Sequence, residues 1–414
     1  MLARVRTNLT ITDLLRAATP GAAEPIEALE RAFSERFSFR HALLFPYART
    51  ALYALLLARG WRGREILCPA YICAEVPSAI TQSGNEVRFV DSAADHFLPG
   101  AAEWRMASST NAAMAVITPL FGYPVDKGAE AAIRGAAPDA FLLYDESQSY
   151  GVEDERGVQM RDADGALFSF GLGKMMTTLS GGLLLLRDTA IFQAVRALRD
   201  AQCSRPNLAH TMNLVAKGLA AWTGFREPAL SVLDLVARRL RVLPVDAEDW
   251  TPTEELRLPA DGKIMPSAYQ AKLGLHQLAK LDLFLTARKE IARYYENRLR
   301  EEGLRTFDYA RIPTWPRYPW PVARRDAVVS ELHRHKIQVS IFLPYSCADL
   351  PVYRNRARAC PNAALWGRSM INLPNWYGME IDQAEQVVDM LLRLSEKDPR
   401  TVAWPATSDP NPPA

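Results

Sequence analysis

Gly165-Ala-Leu-Phe-Ser-Phe-Gly-Leu-Gly-Lys174-Met-Met-Thr-Thr-Leu-Ser-Gly-Gly-Leu-Leu-Leu-Leu186 sets a lysine between two apolar runs. The first run, Leu167–Phe170, enters a glycine turn, and the second, Leu183–Leu186, follows closely. Both are short and wholly apolar, the pattern of strands buried on two faces. A lysine is costly to bury unless it is paired or used. Lys174 is therefore a candidate reactive amine, and a solvated loop lysine is the alternative.

The same pattern extends in both directions. Upstream, the runs Ala42–Phe45, Glu65–Cys68, Glu86–Val90, Ala113–Thr118 and Phe141–Tyr144 read as further strands. Helical periodicity fills the gaps at Thr50–Arg59, Glu75–Ser83 and Ala129–Ala136. Strand and helix in alternation predict an α/β fold with a mostly parallel central sheet, its ligand crevice beyond the carboxyl ends of the strands. Before the sheet, Ile26, Leu29, Ala32 and Phe33 share one face of a helix over 24–37. After it, a helix is expected over 188–200, then two apolar helical stretches at Leu214–Trp222 and Ala229–Leu243. Pro266 and Ser267 open a long helical pattern over 266–300. A smaller α+β portion follows, with strands around 317–323 and at Ile337–Phe342 and helices at Asp326–His335 and 382–395.

At 414 residues the chain exceeds one small core. The expected organisation is a helical segment over 1–40 and a large domain over 41–265 carrying a helical insertion at about 205–258. A linking helix and small C-terminal domain over 266–397 and a proline-rich disordered tail over 398–414 complete it. Composition is that of a globular enzyme, with 49% hydrophobic and 23% charged residues and a net charge of +2. No basic footprint for nucleic acid is present. No run approaches the ~18 apolar residues of a membrane span, and no signal-peptide pattern opens the chain. The five cysteines (68, 73, 203, 347, 360) lack zinc spacing, as do the histidines, so no metal site is expected. Reduced thiols point to the cytoplasm.

Lys174 gains meaning from Tyr144-Asp145-Glu146-Ser147-Gln148. Asp145 falls at a strand's carboxyl end, 29 residues before Lys174, far enough for one crossover and one strand. An amine for a carbonyl and a carboxylate for a pyridine nitrogen are the two demands of pyridoxal phosphate (PLP) chemistry. A phosphate cradle is also needed. Tyr47-Ala48-Arg49-Thr50 opens a helix after a strand and offers backbone N–H groups, and the Ser169 hydroxyl lies five residues before Lys174. The run is not an ATP-type phosphate loop, because Met175 and Phe168 occupy its hydroxyl and first glycine positions.

These segments resemble the DegT/StrS-type aminotransferases, PLP enzymes of fold type I that mostly aminate nucleotide-linked keto-sugars. The likeness runs through Glu-x-x-Phe (30–33), Ala-Arg-Thr-Ala-Leu (48–52), Ile-Leu-Cys-Pro-Ala-Tyr (66–71) and Phe-Val-Asp (89–91). It continues in Pro-Leu-Phe-Gly-Tyr-Pro-Val-Asp (119–126), Asp-Glu-Ser-Gln-Ser-Tyr-Gly (145–151) and Ser-Phe-Gly-Leu-Gly-Lys (169–174). It ends in Ser-Ala-Tyr-Gln-Ala-Lys-Leu-Gly-Leu-x-Gln-Leu (267–278) and Ile-Asn-Leu-Pro (371–374).

The resemblance implies that Lys174 is the Schiff-base lysine and that Asp145 holds the pyridine nitrogen. Gln148 would approach the phenolic oxygen, while Ser169 and the backbone of Ala48 and Arg49 bind phosphate. The position that often carries a stacking aromatic is Cys73 here, with Tyr71 the substitute two residues earlier. The relatives' cross-subunit Asn and Arg are absent from 260–265. An amino-acid donor, a keto-sugar acceptor and a homodimer are further implied. A PLP enzyme of dehydration or elimination and a catalytically reduced binding or regulatory protein of the same fold are the alternatives. Family dehydratases replace the lysine by histidine, which Lys174 opposes.

Overall fold

The computed structural model describes residues 1–19, 24–154, 157–224, 229, 262–309, 311–355 and 357–405. Its central sheet comprises β1 (His41–Phe45), β2 (Glu65–Pro69), β3 (Glu86–Val90), β4 (Ala112–Ile117), β5 (Phe141–Asp145), β6 (Gly165–Ser169) and β7 (Gly182–Leu186). The order across the sheet is β1-β7-β6-β5-β4-β2-β3. β7 alone among these runs antiparallel to its neighbours, pairing Ser169 and Phe45 on either side of Gly182. The remaining pairs are parallel.

The absence of polar alternation has its cause in two covered faces. Leu43 and Phe45 enter one buried cluster while Ala42 and Leu44 enter the other. Met114 and Val116 oppose Ala115 and Ile117 in the same way, and Leu184 and Leu186 oppose Leu183 and Leu185. A period of two thus sorts apolar side chains to helices on both sides. Gly182 has a separate task. A Cβ there would lie 2.2 Å from the Ala48 nitrogen, so only glycine lets the helix Ala48–Ala58 start against β7.

The smaller α+β part follows the helices Ala268–Leu278 and Leu281–Glu301. Its sheet pairs β8 (Tyr318–Pro321) antiparallel with β9 (Met370–Leu373), beside the helices Arg325–Arg334, Pro361–Ser369 and Ile381–Lys397. Trp315, Tyr318, Trp320 and Trp366 fill it. The Trp315 indole donates to the Tyr123 hydroxyl at 3.2 Å, which ties the small part to the large one. The N-terminal segment spans both: Leu2 bridges to Ile337, and the Asn8 amide donates to the Met175 carbonyl.

Some expectations change. The pattern over 266–300 is two helices, broken at Ala279–Lys280 without glycine or proline. Gln277 and Lys280 both reach Asp13, docking this corner onto the N-terminal helix Ile11–Ala18, which periodicity did not announce. Residues 337–342 form no continuous strand. Their backbone is divided between Leu2 on one side, with Gln338 N–H donating to the Leu2 carbonyl at 3.0 Å, and Asn372 on the other, through Ser340. The helices Ala101–Ala107 and Pro361–Ser369 were not foreseen. The tail begins with a helical turn, Pro399–Val402, that buries Val402, whereas 406–414 lies outside the described residues. The first apolar stretch of the insertion lies within the helix Leu208–Gly224. The second, Ala229–Leu243, falls outside the described residues apart from Ala229.

Candidate active site

Four strands of the sheet deliver chemistry at their carboxyl ends. β1 leads through Pro46 and Tyr47 into the helix Ala48–Ala58, whose N-cap Tyr47 provides no side-chain cap to the first amides. An uncapped helix start favours an anion. β4 gives way to Thr118, β5 ends on Asp145, and β6 ends on Ser169 with Lys174 in the turn beyond it. One cavity of about 280 Å³ is lined by Ala48, Arg49, Thr118, Asp145, Gln148, Ser169 and Lys174. Cys73, beyond β2, also lines it, and Phe342 arrives from the small part to complete the wall.

The cavity is electrostatically poised. Asp145 is 5% exposed, and its Oδ1 accepts the Ser147 N–H at 3.1 Å. Burial pushes its carboxyl above the ordinary range, while Ser147 and the Lys174 cation oppose that shift. The half-buried Cys73 thiol is likewise pushed up by burial and drawn down by Lys174. The Lys174 ammonium lies 5.8 Å from the Phe342 ring centroid, and Arg317 sits 4.2 Å from the same ring. Arg49 pairs with Glu75 and lies over the Tyr47 ring. Glu146, next to Asp145, accepts instead from Ser149 and Gly151.

Two polar atoms in the lining lack partners. The Gln148 side-chain nitrogen and the Thr118 hydroxyl are both buried without a hydrogen bond, in residues 6% and 4% exposed. Buried polar atoms are nearly always satisfied, so two unsatisfied ones in residues that line one cavity point to a ligand with polar atoms of its own.

Lys174, Asp145, Gln148, Ser169, Ala48, Arg49 and Cys73 are thus brought together. Tyr71 is not. Its ring is 2% exposed in the core and packs edge-on against Phe121 at 6.4 Å, away from the cavity lining. Apolar packing of the ring holds it there, at the cost of a buried hydroxyl without a hydrogen-bond partner. Thr118, Glu75 and Phe342 were missed. Thr118 could have been found as a hydroxyl at a strand end, whereas nothing local marks Phe342. A larger cleft of about 610 Å³ follows the outer strand β3, and two of its carboxylates, Glu65 and Asp91, are engaged within the fold. Glu65 holds Arg88 at 3.2 Å, and Asp91 accepts the Ala363 amide at 2.8 Å.

Residues 5–226 and 234–392 match the DegT/DnrJ/EryC1/StrS aminotransferase family. The chain belongs to that family. It is a family of PLP-dependent aminotransferases, as the order of segments implied. Solved structures share the fold at low identity. DesV of S. venezuelae, in complex with a ketimine intermediate, is 20% identical with a TM-score of 0.72, over 93% of this chain and 94% of that one. DesI, solved with its TDP-sugar product, is 19% identical with a TM-score of 0.72, over 97% and 93%. The dehydratase ColD, with bound GDP-perosamine, is 16% identical with a TM-score of 0.72, over 94% and 100%. The mixed α/β architecture with its large, mostly parallel sheet is that of fold type I. Among the described residues no helix is long and apolar enough to cross a membrane.

Proposed function

We propose that the protein binds PLP and transfers an amino group from an amino-acid donor to a keto-sugar, nucleotide-linked, in polysaccharide or secondary-metabolite biosynthesis. The convergence of Lys174 and Asp145 in one cavity with the unsatisfied Gln148 amide carries the proposal. The residues fit the cofactor. Lys174 offers the amine, Asp145 a carboxylate for the pyridine nitrogen, and Gln148 a donor for the phenolic oxygen. Ser169 and the amides of Ala48 and Arg49 would seat the phosphate at the helix start. Cys73 lies in the wall where relatives use an aromatic.

When bound, PLP supplies an aldehyde that captures the amine and a ring that withdraws electrons from the adjoining carbon. Lys174 Nζ takes the proton from that carbon and returns it at the other end of the exchange. Asp145 must be ionised to hold a protonated pyridine nitrogen. Ser147 stabilises that form against burial, and the ring cation would do so in place of the Lys174 charge once that amine is engaged. The apolar walls from Leu52, Ile72, Val76 and Leu120 exclude water from the proton transfer. A homodimer in the cytoplasm accompanies this proposal, in line with the family resemblance.

Uptake of PLP by the purified protein, followed by visible absorption, tests it. Borohydride should fix the cofactor onto Lys174, and Lys174→Ala should abolish the band. Glutamate or another amino acid should convert the band to the pyridoxamine form. Uptake without conversion across a panel of donors would remove transamination.

A further inference from the structure

Arg49 is the sole arginine among the described residues lining the cavity that holds Lys174. It lies in the first turn of the helix Ala48–Ala58, and Glu75 opens the helix Glu75–Gln82 across from it. The two side chains form an ion pair at 26% and 21% exposure, and the Arg49 guanidinium lies 5.2 Å over the Tyr47 ring. The pair belongs to the pocket wall and is partly wet, so its geometry can change without opening the core.

Resting on the function proposed above, we propose that this ion pair is an exchangeable carboxylate seat. Transamination asks one cavity to take two unlike molecules in turn, an amino acid with a carboxylate and a sugar without one. Glu75 presents to Arg49 the planar, two-oxygen group that the donor carries. A donor carboxylate can take its place on the guanidinium fork with no change in the number of charge-assisted bonds. Tyr47 keeps the guanidinium plane oriented through the exchange. The displaced Glu75 carboxylate stays in the first turn of its own helix, where negative charge is favoured, and water reaches it. When the sugar, which brings no carboxylate to this seat, enters, Glu75 returns, so Arg49 is never left as an uncompensated cation. Glu75 is then an internal competitor that sets donor affinity.

The test uses the PLP-loaded full-length protein and glutarate, a dicarboxylate with no amine to react, titrated by calorimetry. Arg49→Gln should weaken glutarate binding by about ten- to a hundred-fold, the loss of one charge-assisted pair. Glu75→Gln should strengthen it, the opposite direction, which a folding defect does not produce. PLP affinity, read by absorbance, should stay level in Glu75→Gln. Glutarate affinity equal to wild type in both variants overturns the seat. So does a fall in PLP or inorganic pyrophosphate affinity in Arg49→Gln with glutarate unchanged, which would assign the cation to a phosphate. A wild-type protein that takes up no PLP removes the proposed function itself, an outcome distinct from these.

Discussion

Gly182→Ala isolates the contact on which the site depends. The new Cβ would stand 2.2 Å from the Ala48 nitrogen, 2.5 Å from the Tyr47 carbonyl carbon and 2.6 Å from the Ala48 Cα. Ordinary contact begins near 3.4 Å, and all three atoms are backbone, so no side chain can turn aside. The helix start must withdraw from β7 by roughly 1 Å, and an overpacked core of this kind costs about 1–3 kcal/mol. The same shift moves the amides of Ala48 and Arg49 away from the cavity. A misplacement of about 1 Å costs on the order of a hundred-fold in rate. Urea unfolding of the apoprotein should show the stability loss, and an absorbance titration should show weakened PLP uptake with reduced turnover. Gly135→Ala serves as the control, since its Cβ would meet nothing within 4 Å inside the helix Ala129–Ala136. It should be neutral or stabilising by up to about 1 kcal/mol. If Gly182→Ala unfolds within about 0.5 kcal/mol of wild type and binds PLP normally, the close approach does not position the cradle.

Asp145→Asn preserves shape and the acceptor for Ser147 but removes the charge, so turnover should fall by at least about a hundred-fold while the fold holds or gains stability. A loss under tenfold would place the charge elsewhere. Thr118→Val and Gln148→Leu should each weaken PLP uptake, yet leave the apoprotein as stable as wild type or more so, because each removes an unsatisfied buried group. Lower apoprotein stability in both would mean that they are bonded within the fold. Burial pushes the Glu146 carboxyl up to about 7 from an ordinary 4.5. Between those values the folded chain holds a proton that the unfolded chain releases, so this group's contribution is full below pH 4.5 and is lost as pH rises through about 7. The change is on the order of 3 kcal/mol, and Glu146→Gln should flatten it in urea melts taken from pH 5 to 8.

What the sequence disclosed follows from range. The strands of the large sheet were legible because burial on both faces leaves short apolar runs, and all lie within two residues of their expected ends. Lys174, Asp145, Gln148 and Ser169 were legible as candidates because each sits at or just past the end of such a run. The small part was harder. β9 is four residues long and directly follows a helix, so its pairing with β8 leaves little local trace. Residues 337–342 carry strand composition but are shared between two distant partners. Phe342 enters the cavity only through tertiary folding, and Tyr71 leaves it because a better-packed apolar neighbour was available. Neither choice is written in residue type.

The bridge between Leu2 and Ile337 has a consequence for how the chain matures during translation. Leu2 leaves the ribosome more than three hundred residues before its partner, and β1 waits in the same way for β7. Long-range pairing of this kind is slow and leaves strand edges exposed meanwhile. The large sheet can close once residue 186 has emerged, but Leu2 stays undocked until the small part is made. A nascent chain stalled once residue 186 has cleared the ribosome should therefore hold its sheet while Leu2 and Ala3 remain open to protease.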